Sequence, residues 1–323
     1  MPQAAEAMLE RVRATGLLPE GGSVVVLLSG GRDSVCLLDA AVRLAGSGAV
    51  GALHVHHGLR ADADADAEHC RALCAALGVA LTVEHLTPPS VGNIQAWARD
   101  ARHEAGTRVA ASAGARLAAG HTVSDQVETI LYRLAVSPGR RALLGMADER
   151  GLLIRPLLRA GLTRTDTAAW CDARGLAWVN DASNEAPKYA RSRVRADIVP
   201  ALRGLHPAAE ANILRTASML RDEAQVLDGV VDAALDGEGQ IALETLASLP
   251  PALARLVVLR LAEDACGSLC PRAASRLDDL LAFRHRTGRA ALDVGEGARA
   301  VVEDGVLRFE RTPPIGRLRS TAP

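Results

Sequence analysis

The chain has 323 residues, a formal net charge of −1, and 49% hydrophobic against 23% charged residues. This length accommodates two domains, and the composition is typical of a soluble globular protein. The near-neutral charge excludes a protein that binds nucleic acid through a strong overall positive charge. The first residues lack a signal-peptide pattern, and no apolar run is long enough to span a bilayer. We therefore expect a cytoplasmic protein without a membrane segment.

The most informative segment follows the first predicted strand. Residues 1–20 predict a short amphipathic helix, residues 24–28 an apolar strand, and residues 35–44 a second helix. Between this strand and the second helix stands Ser29-Gly30-Gly31-Arg32-Asp33-Ser34. A strand, a tight glycine turn and a helix N-terminus together direct backbone N–H groups at an anion. A carboxylate beside phosphates makes chemical sense when a metal ion lies between them, so the loop predicts a nucleotide site with Mg2+ held by Asp33.

Two common nucleotide motifs are excluded at this loop. A Walker loop needs a lysine after its glycines, and the chain's single lysine, Lys188, follows no glycine loop. The dinucleotide pattern Gly-x-Gly-x-x-Gly is also absent after this strand. Ser-Gly-Gly-x-Asp-Ser instead resembles the pyrophosphate loop of ATP pyrophosphatases, which cleave ATP between the α and β phosphates. The resemblance implies ATP binding by Ser29, Gly30, Gly31, Arg32, Asp33 and Ser34.

Strands and helices alternate after the loop. Further strands are predicted at residues 50–55, 80–84, 116–119 and 152–155, and helices at residues 64–77, 94–113, 125–134 and 164–174. This alternation predicts an α/β fold with a doubly wound parallel sheet. Ligands of such sheets bind at the carboxyl ends of the strands, where most of the polar motifs lie.

After residue 200 the pattern becomes mainly helical. Helices are predicted at residues 208–234, 250–265 and 271–283, and a small three-stranded meander at residues 289–311. We therefore predict a first domain at residues 1–205, a smaller, mainly helical second domain at residues 206–311, and a loose tail at residues 312–323.

Three further groups of polar residues are candidates for the site. The second strand ends in His54-Val55-His56-His57, whose alternate residues point to opposite faces, which favours a pocket lining over a metal site. Asp125 and Glu128 share a face of one helical turn and suit Mg2+ or a substrate amine, or else they merely complement the helix dipole. Arg99 and Arg102 share another helix face and suit phosphates or a carboxylate, unless that face is simply solvated.

Local charge is more informative than net charge. Between Arg133 and Arg215 there are 14 basic and 8 acidic residues. Residues 178–184 and 191–195 are rich in Asn, Asp, Ser and Arg, the residue types that contact sugar-phosphate backbones. We predict a phosphate-facing surface here, the alternative being a polar loop and a basic helix face.

An ordered series of motifs over about the first 220 residues resembles the tRNA(Ile)-lysidine synthase family. The motifs are Ser-Gly-Gly-Arg-Asp-Ser at 29–34, His-Val-His-His-Gly-Leu-Arg at 54–60, Ala-Arg-x-x-Arg at 98–102, His-x-x-x-Asp-Gln-x-Glu-Thr at 121–129, Leu-Leu-Gly-Met at 143–146, Arg-Pro-Leu-Leu at 155–158, Asp-x-x-Asn at 181–184 and Arg-x-x-x-Arg at 191–195. Their order and spacing are more specific than any single motif. The sequence departs from the family pattern at His56, His103, Ser124 and Ser192.

The resemblance implies an α/β PP-loop fold, similar to adenine nucleotide α-hydrolases, with a tRNA-binding second domain. It implies ATP-dependent ligation of free L-lysine to carbon 2 of the wobble cytidine of tRNA(Ile) with anticodon CAU. The tRNA is first adenylated, releasing diphosphate, and the lysine amine then displaces AMP to give lysidine. The oligomeric state is left open, with a homodimer as one option.

The resemblance also implies a role for each candidate residue. Asp33 and Asp125 are expected to be catalytic, and His56 is expected to join the loop in binding ATP. Lysine is expected to bind Arg102, Asp125 and Glu128. Contacts with the tRNA backbone are expected from Arg155, Arg191, Arg193 and Arg195.

Two alternative functions are weighed against this one. A related PP-loop enzyme that thiolates a tRNA base would rely on Cys-x-x-Cys pairs, whereas the six cysteines here include only Cys-x-x-x-Cys pairs. Six cysteines in a cytosolic chain of this size predict free thiols. A non-enzymatic nucleotide-binding module would not require the carboxylates Asp33, Asp125 and Glu128.

Overall fold

The computed structural model describes residues 2–56, 58, 63–89, 94–136, 140–179, 190–235, 237–267, 270, 272–285 and 288–312. The chain divides into two units, Met1–Ala135 with Leu143–Ala217 and Val136–Ala142 with Ser218–Pro323. The motif at 181–184, Lys188 and nearly all of the predicted tail lie outside the described residues. The predicted domains assign ATP to residues 1–205 and tRNA to residues 206–311, and that assignment stays a prediction.

A six-stranded sheet lies at the centre of the first unit. Its strands are β1 (Val24–Leu27), β2 (Val50–His56), β3 (Ala80–His85), β4 (Arg116–Ala118), β5 (Glu149–Arg150) and β6 (Leu153–Ile154). They are ordered β3-β2-β1-β4-β6-β5, and every neighbouring pair is parallel except β5 with β6. The predicted parallel sheet is therefore confirmed, with a short antiparallel edge that periodicity could not reveal.

Ten helices accompany these strands among the described residues. They are α1 (Pro2–Arg13), α2 (Arg32–Ala45), α3 (Ala63–Leu77), α4 (Ile94–Ser112), α5 (Val123–Val136), α6 (Arg140–Leu143), α7 (Pro156–Arg159), α8 (Arg164–Arg174), α9 (Ala190–Arg193) and α10 (Val199–Leu205). A π-helical segment, Val194–Ile198, joins α9 to α10.

The central strand β1 supplies side chains to both faces of the sheet. Val24 and Val26 pack in a core built with α1, α2, α3 and α8, whereas Val25 and Leu27 pack in a second core with α4. Successive strand residues point to opposite faces, so a strand buried on both sides must be apolar throughout, as this one is. The sheet is therefore covered by helices on both faces, and its strand ends are left to form the site.

The second unit contains a four-stranded sheet. Its strands β7 (Gln240–Ala242), β8 (Ala290–Gly295), β9 (Ala298–Glu303) and β10 (Val306–Arg311) are ordered β7-β10-β9-β8. Antiparallel pairing of β8 with β9 and of β9 with β10 confirms the predicted meander. The three-residue strand β7, antiparallel to β10, was not predicted because it is too short for a periodic pattern.

Helices still predominate in the last third of the chain. They are α11 (Ala209–Leu235), α12 (Leu243–Ser248), α13 (Pro251–Cys266) and α14 (Leu277–Leu281). The helix predicted at residues 271–283 is wrong as one element, because 3-10 turns at Ala273–Arg276 and Ala282–His285 flank the single turn of α14. Among the described residues, no helix combines the length and the apolar character needed to cross a membrane.

Candidate active site

The Ser29–Ser34 loop leaves β1 at the carboxyl edge of the sheet and enters α2. The Ser34 hydroxyl donates to the Gly31 carbonyl oxygen at 2.8 Å and accepts the Ser29 N–H at 3.2 Å. The two serine Oγ atoms lie 3.1 Å apart. Gly30 has a φ of 82°, a left-handed conformation that glycine adopts without strain. These bonds hold the loop in a tight turn at a helix N-terminus, the geometry that suits a phosphate.

Neighbouring segments hold the loop from both sides. The Val179 N–H donates to the Gly30 carbonyl at 2.9 Å, and the Arg32 guanidinium lies 5.5 Å from the centre of the Trp178 ring. On the other side, a Cβ placed on Gly120 would lie 2.9 Å from the Asp33 carbonyl carbon. Only glycine permits the segment after β4 to approach the loop so closely.

Three carboxylates meet at this edge of the sheet. Asp33 comes from the loop, and Asp125 and Glu128 come from the first turns of α5. The Arg164 guanidinium binds Asp125 Oδ1 at 2.6 Å and Glu128 Oε1 at 2.9 Å, and its Nε lies 3.7 Å from Asp33 Oδ2. The structure thus brings together the two predicted catalytic aspartates and Glu128, so that two of the three predicted lysine ligands meet here, and it adds Arg164, which we did not predict.

Backbone contacts place Arg164 opposite α5. The helix α8 starts with a capping box in which Thr163 and Asp166 exchange hydrogen bonds. The Arg164 N–H donates to Ser124 Oγ at 3.1 Å. The sequence signal Thr-x-x-Asp indicates the helix start, but nothing local to residue 164 reveals carboxylate partners that lie 36 and 39 positions away.

The Asp33 carboxyl has an unusual environment for an acid. It accepts a hydrogen bond from the Thr167 hydroxyl. Burial raises its pKa above the ordinary value, and the nearby charge of Asp125 adds to the rise, while Thr167 and Arg164 act in the opposite direction. A cation placed against Asp33 would therefore favour its charged form.

Asp33 suits Mg2+ only in partnership with phosphates. The part of the chain that the structure describes holds no group of three or more His, Cys, Asp or Glu side chains arranged for a metal ion. Mg2+ in nucleotide sites is commonly held by one or two carboxylates together with substrate phosphates and water. Asp33, in the first turn of α2, fits that arrangement.

A basic cluster lies beside the acidic one. It consists of Arg99, Arg102, His103, His121 and Arg155. Burial lowers the pKa of His103 to about 4, and the positive charges of Arg102 and Arg99 contribute further. In the described part of the chain, neither Arg99 nor Arg102 has a hydrogen bond or ion pair. Half-buried arginines without a hydrogen bond or ion pair, close to other arginines, suit a site that receives an anion.

Arg155 occupies an unexpected place. We expected it to contact the tRNA backbone, but it is only 6% exposed. Its Nε donates to His121 Nδ1 at 3.1 Å and its Nη1 to the Ala147 carbonyl at 2.6 Å. In this position the guanidinium supports His121 inside the cluster and is not presented to a large ligand.

The other predicted tRNA ligands differ from one another. Arg191 and Arg193 are exposed, and the Arg191 guanidinium lies 5.8 Å from the Tyr132 ring centre. Arg195 turns inward and binds both oxygens of Glu128, at 2.7 and 2.9 Å. His56, predicted to bind ATP, is half-buried at the end of β2, 4.6 Å from the His85 ring centre. Binding of tRNA by Arg191, Arg193 and Arg195 and of ATP by His56 stays a prediction.

Comparison with known proteins identifies the family. Residues 4–202 match the PP-loop domain family. The tRNA(Ile)-lysidine synthase of Leifsonia xyli subsp. xyli is 37% identical over 311 residues, which cover 90% of this chain and 91% of that protein. The chain belongs to the tRNA(Ile)-lysidine synthase family. The family member from Salinispora arenicola is 39% identical over 259 residues, or 75% of this chain and 76% of that protein.

Family members differ in length. The Pseudomonas aeruginosa tRNA(Ile)-lysidine synthase is 40% identical over 215 residues, which are 64% of this chain but 48% of that protein. The chain spans about half the length of several such relatives, between 46% and 59% for those from Pseudomonas and Xanthomonas. A solved structure, the U34-tRNA thiolase NcsA from Methanococcus maripaludis with its [4Fe-4S] cluster, matches with a TM-score of 0.56 and 19% identity. That match covers 67% of this chain and 78% of the thiolase, and at this identity it bears on the fold alone.

Proposed function

We propose that the chain ligates L-lysine to carbon 2 of the wobble cytidine of tRNA(Ile) with anticodon CAU, at the expense of ATP. The observation that carries the proposal is the meeting of Asp33, Asp125 and Glu128 beside the Ser29–Ser34 loop. A phosphate site and an amine site at one strand edge are what an adenylate-forming amine ligase requires.

The first step joins the cytidine to AMP. The cytidine O2 attacks the α-phosphorus of ATP, and the bond to the β-phosphate oxygen breaks, releasing diphosphate. The loop N–H groups and the α2 N-terminus stabilise the charge on the phosphates. Asp33 would hold Mg2+, which would supply positive charge against the departing diphosphate. The wobble base must be turned out of its stack to reach this site.

The second step replaces AMP by lysine. The bound lysine ammonium first gives a proton to a carboxylate, so that the ε-amine can attack carbon 2. The C2–O bond to AMP then breaks, the nitrogen releases a second proton to water, and AMP departs with its negative charge. Asp125 and Glu128 would bind the ammonium, and Arg102 the lysine carboxylate, with Arg99 beside it. Positioning contributes most here, because the adenylated base is already activated. Arg191 and Arg193 would bind tRNA phosphates.

The alternative function, thiolation of a tRNA base, is less well supported than lysine ligation. All six cysteines are free and buried. Burial raises the pKa of Cys70 and of Cys171 to about 12, which leaves almost no thiolate at neutral pH. Buried thiols in this state are poor nucleophiles.

The decisive experiment incubates the full chain with tRNA(Ile) transcript, ATP and labelled lysine. We expect label on the tRNA together with AMP and diphosphate in equal amounts. A matched transcript with uridine in place of the wobble cytidine should take up no label. Label on neither transcript would contradict the proposal, and ATP binding without diphosphate release would favour a nucleotide-binding module.

A further inference from the structure

The two carboxylates proposed to bind the lysine ammonium, Asp125 and Glu128, already have cationic partners within the protein. Arg164 Nη2 donates a hydrogen bond to Asp125 Oδ1, and the Thr122 N–H and hydroxyl both donate to Asp125 Oδ2 at 2.8 Å. On Glu128, Oε1 accepts from Arg164 and both oxygens accept from Arg195. Every oxygen that the proposed function gives to the lysine ammonium is therefore occupied by a donor of the protein itself.

Burial leaves little room for an additional cation. Glu128 is 5% exposed, and the Arg164 side chain is 16% exposed. An ammonium and a guanidinium at the same buried carboxylates would also repel each other strongly. Departure of the Arg164 guanidinium would free Asp125 Oδ1 and one acceptor position on Glu128 Oε1 for the lysine ammonium and would remove one of the two guanidinium charges there.

A second anionic partner lies within reach of Arg164. Its backbone is fixed at the first turn of α8, and its Nε is already 3.7 Å from Asp33, the acidic residue of the phosphate loop. Arginine pairs with phosphate oxygens at least as well as with carboxylates, because its planar donors match both. ATP at the loop would thus give the displaced guanidinium a new anion.

We propose that Arg164 exchanges partners during the reaction: the lysine ammonium replaces its guanidinium at Asp125 and Glu128, and the guanidinium turns to the phosphates at the Ser29–Ser34 loop. The inference rests on the proposed function, since it takes lysine as the amine and ATP as the source of the phosphates. Its consequence is that lysine and nucleotide bind cooperatively. Lysine frees the guanidinium to bind the phosphates, and the phosphates replace the carboxylates that the guanidinium has left.

The test is calorimetric titration of L-lysine into the full chain, with and without the probe α,β-methylene-ATP. For the wild type we expect the nucleotide to tighten lysine binding about tenfold, within the usual range of coupling between sites. Arg164→Gln should bind lysine about tenfold more tightly than the wild type in the absence of nucleotide, and the nucleotide should add nothing further. A merely structural arginine would give weaker lysine binding when removed.

The control is Arg174→Gln on the same helix. Arg174 pairs with the buried Asp39 at 3.4 Å, away from Asp125 and Glu128, so lysine binding should equal that of the wild type. If Arg164→Gln does not fold, as judged by circular dichroism, Arg164→Lys replaces it. This variant keeps the charge but cannot bridge both carboxylates, and we expect it to bind lysine a few-fold more tightly.

Failure of this inference is distinguishable from failure of the proposed function. Wild-type chain that transfers lysine to tRNA while Arg164→Gln binds lysine no more tightly, or keeps the nucleotide effect, overturns the exchange alone. Wild-type chain that neither binds lysine beside the nucleotide nor labels tRNA overturns the proposed function, and the exchange with it.

Discussion

The acidic cluster and the basic cluster lie at the same edge of the sheet, but they differ in whether their buried charges have partners of opposite charge. Asp33, Asp125 and Glu128 all have Arg164 as a cationic partner within the protein, and Glu128 is also paired with Arg195. In the basic cluster, Arg99 and Arg102 meet mainly like charges, so that the pKa of each is lowered by burial and then by a neighbouring arginine. The carboxylates thus have cationic partners within the protein, whereas Arg99 and Arg102 have no hydrogen bond or ion pair among the described residues.

The largest effect should come from the acidic side. Asp33→Asn keeps the shape of the side chain but removes the charge that would hold Mg2+ against the phosphates. We expect diphosphate release to fall by about 10²–10³-fold, the range seen when a transition-state charge loses its partner. Asp39→Asn, in the same helix but behind the loop, is the control for folding. Undiminished diphosphate release would remove Asp33 from the chemistry.

Asp125→Asn tests whether Asp125 contributes to lysine binding rather than to ATP binding. Its oxygens belong to the proposed amine site, so the KM for lysine should rise about tenfold or more, as expected for the loss of a buried ion pair. Binding of ATP should change little, which is measured by titrating the same variant with α,β-methylene-ATP. Equal losses for lysine and nucleotide would show that Asp125 has no separate role at the amine.

Arg102→Gln tests what the basic cluster receives. If Arg102 binds the lysine carboxylate, the wild type should prefer lysine over lysinamide by about tenfold, a typical worth for a charge-assisted hydrogen bond. Arg102→Gln should lose that preference because lysinamide lacks the carboxylate. A preference that survives the substitution would leave Arg102 to phosphates instead.

Arg191→Ala examines the exposed margin of the basic region. Loss of one phosphate contact should raise the KM for tRNA a few-fold and reduce the salt slope of tRNA binding by about one. The exposed Arg193→Ala is the matched variant on the same helix and should behave similarly. If ATP binding falls instead, Arg191 lies at the nucleotide.

The smallest effect concerns acid stability. Because the pKa of His103 is lowered to about 4 in the folded chain, the unfolded chain binds more protons between about pH 6.5 and pH 4. The contribution of neutral His103 to the free energy of unfolding is therefore fully present above pH 6.5 and is lost as the pH falls towards 4. His103→Gln should reduce that loss by about 2–4 °C in Tm, measured by thermal melts at pH 7 and pH 4.5. An unchanged acid dependence would assign it to His121 or other groups.

Sequence reasoning found the elements whose signal is local. The apolar run at β1, the glycine turn at Gly30 and the one-turn spacing of Asp125 and Glu128 each follow from a few adjacent residues. It did not find Arg164, and it named Arg155 as a tRNA contact without foreseeing its buried position, since the partners of both arginines are distant in the chain. Whether an arginine faces solvent or a buried carboxylate depends on tertiary packing, which a basic stretch does not reveal.

The close approach at Gly120 has a mechanical consequence. The segment that carries Asp125 rests directly on the backbone of Asp33, with no side chain between them to absorb movement. A displacement of the Ser29–Ser34 loop towards Gly120 would therefore press on the segment that leads into α5. The absence of a side chain at residue 120 thereby sets how closely the Ser29–Ser34 loop and the segment that leads into α5 approach each other.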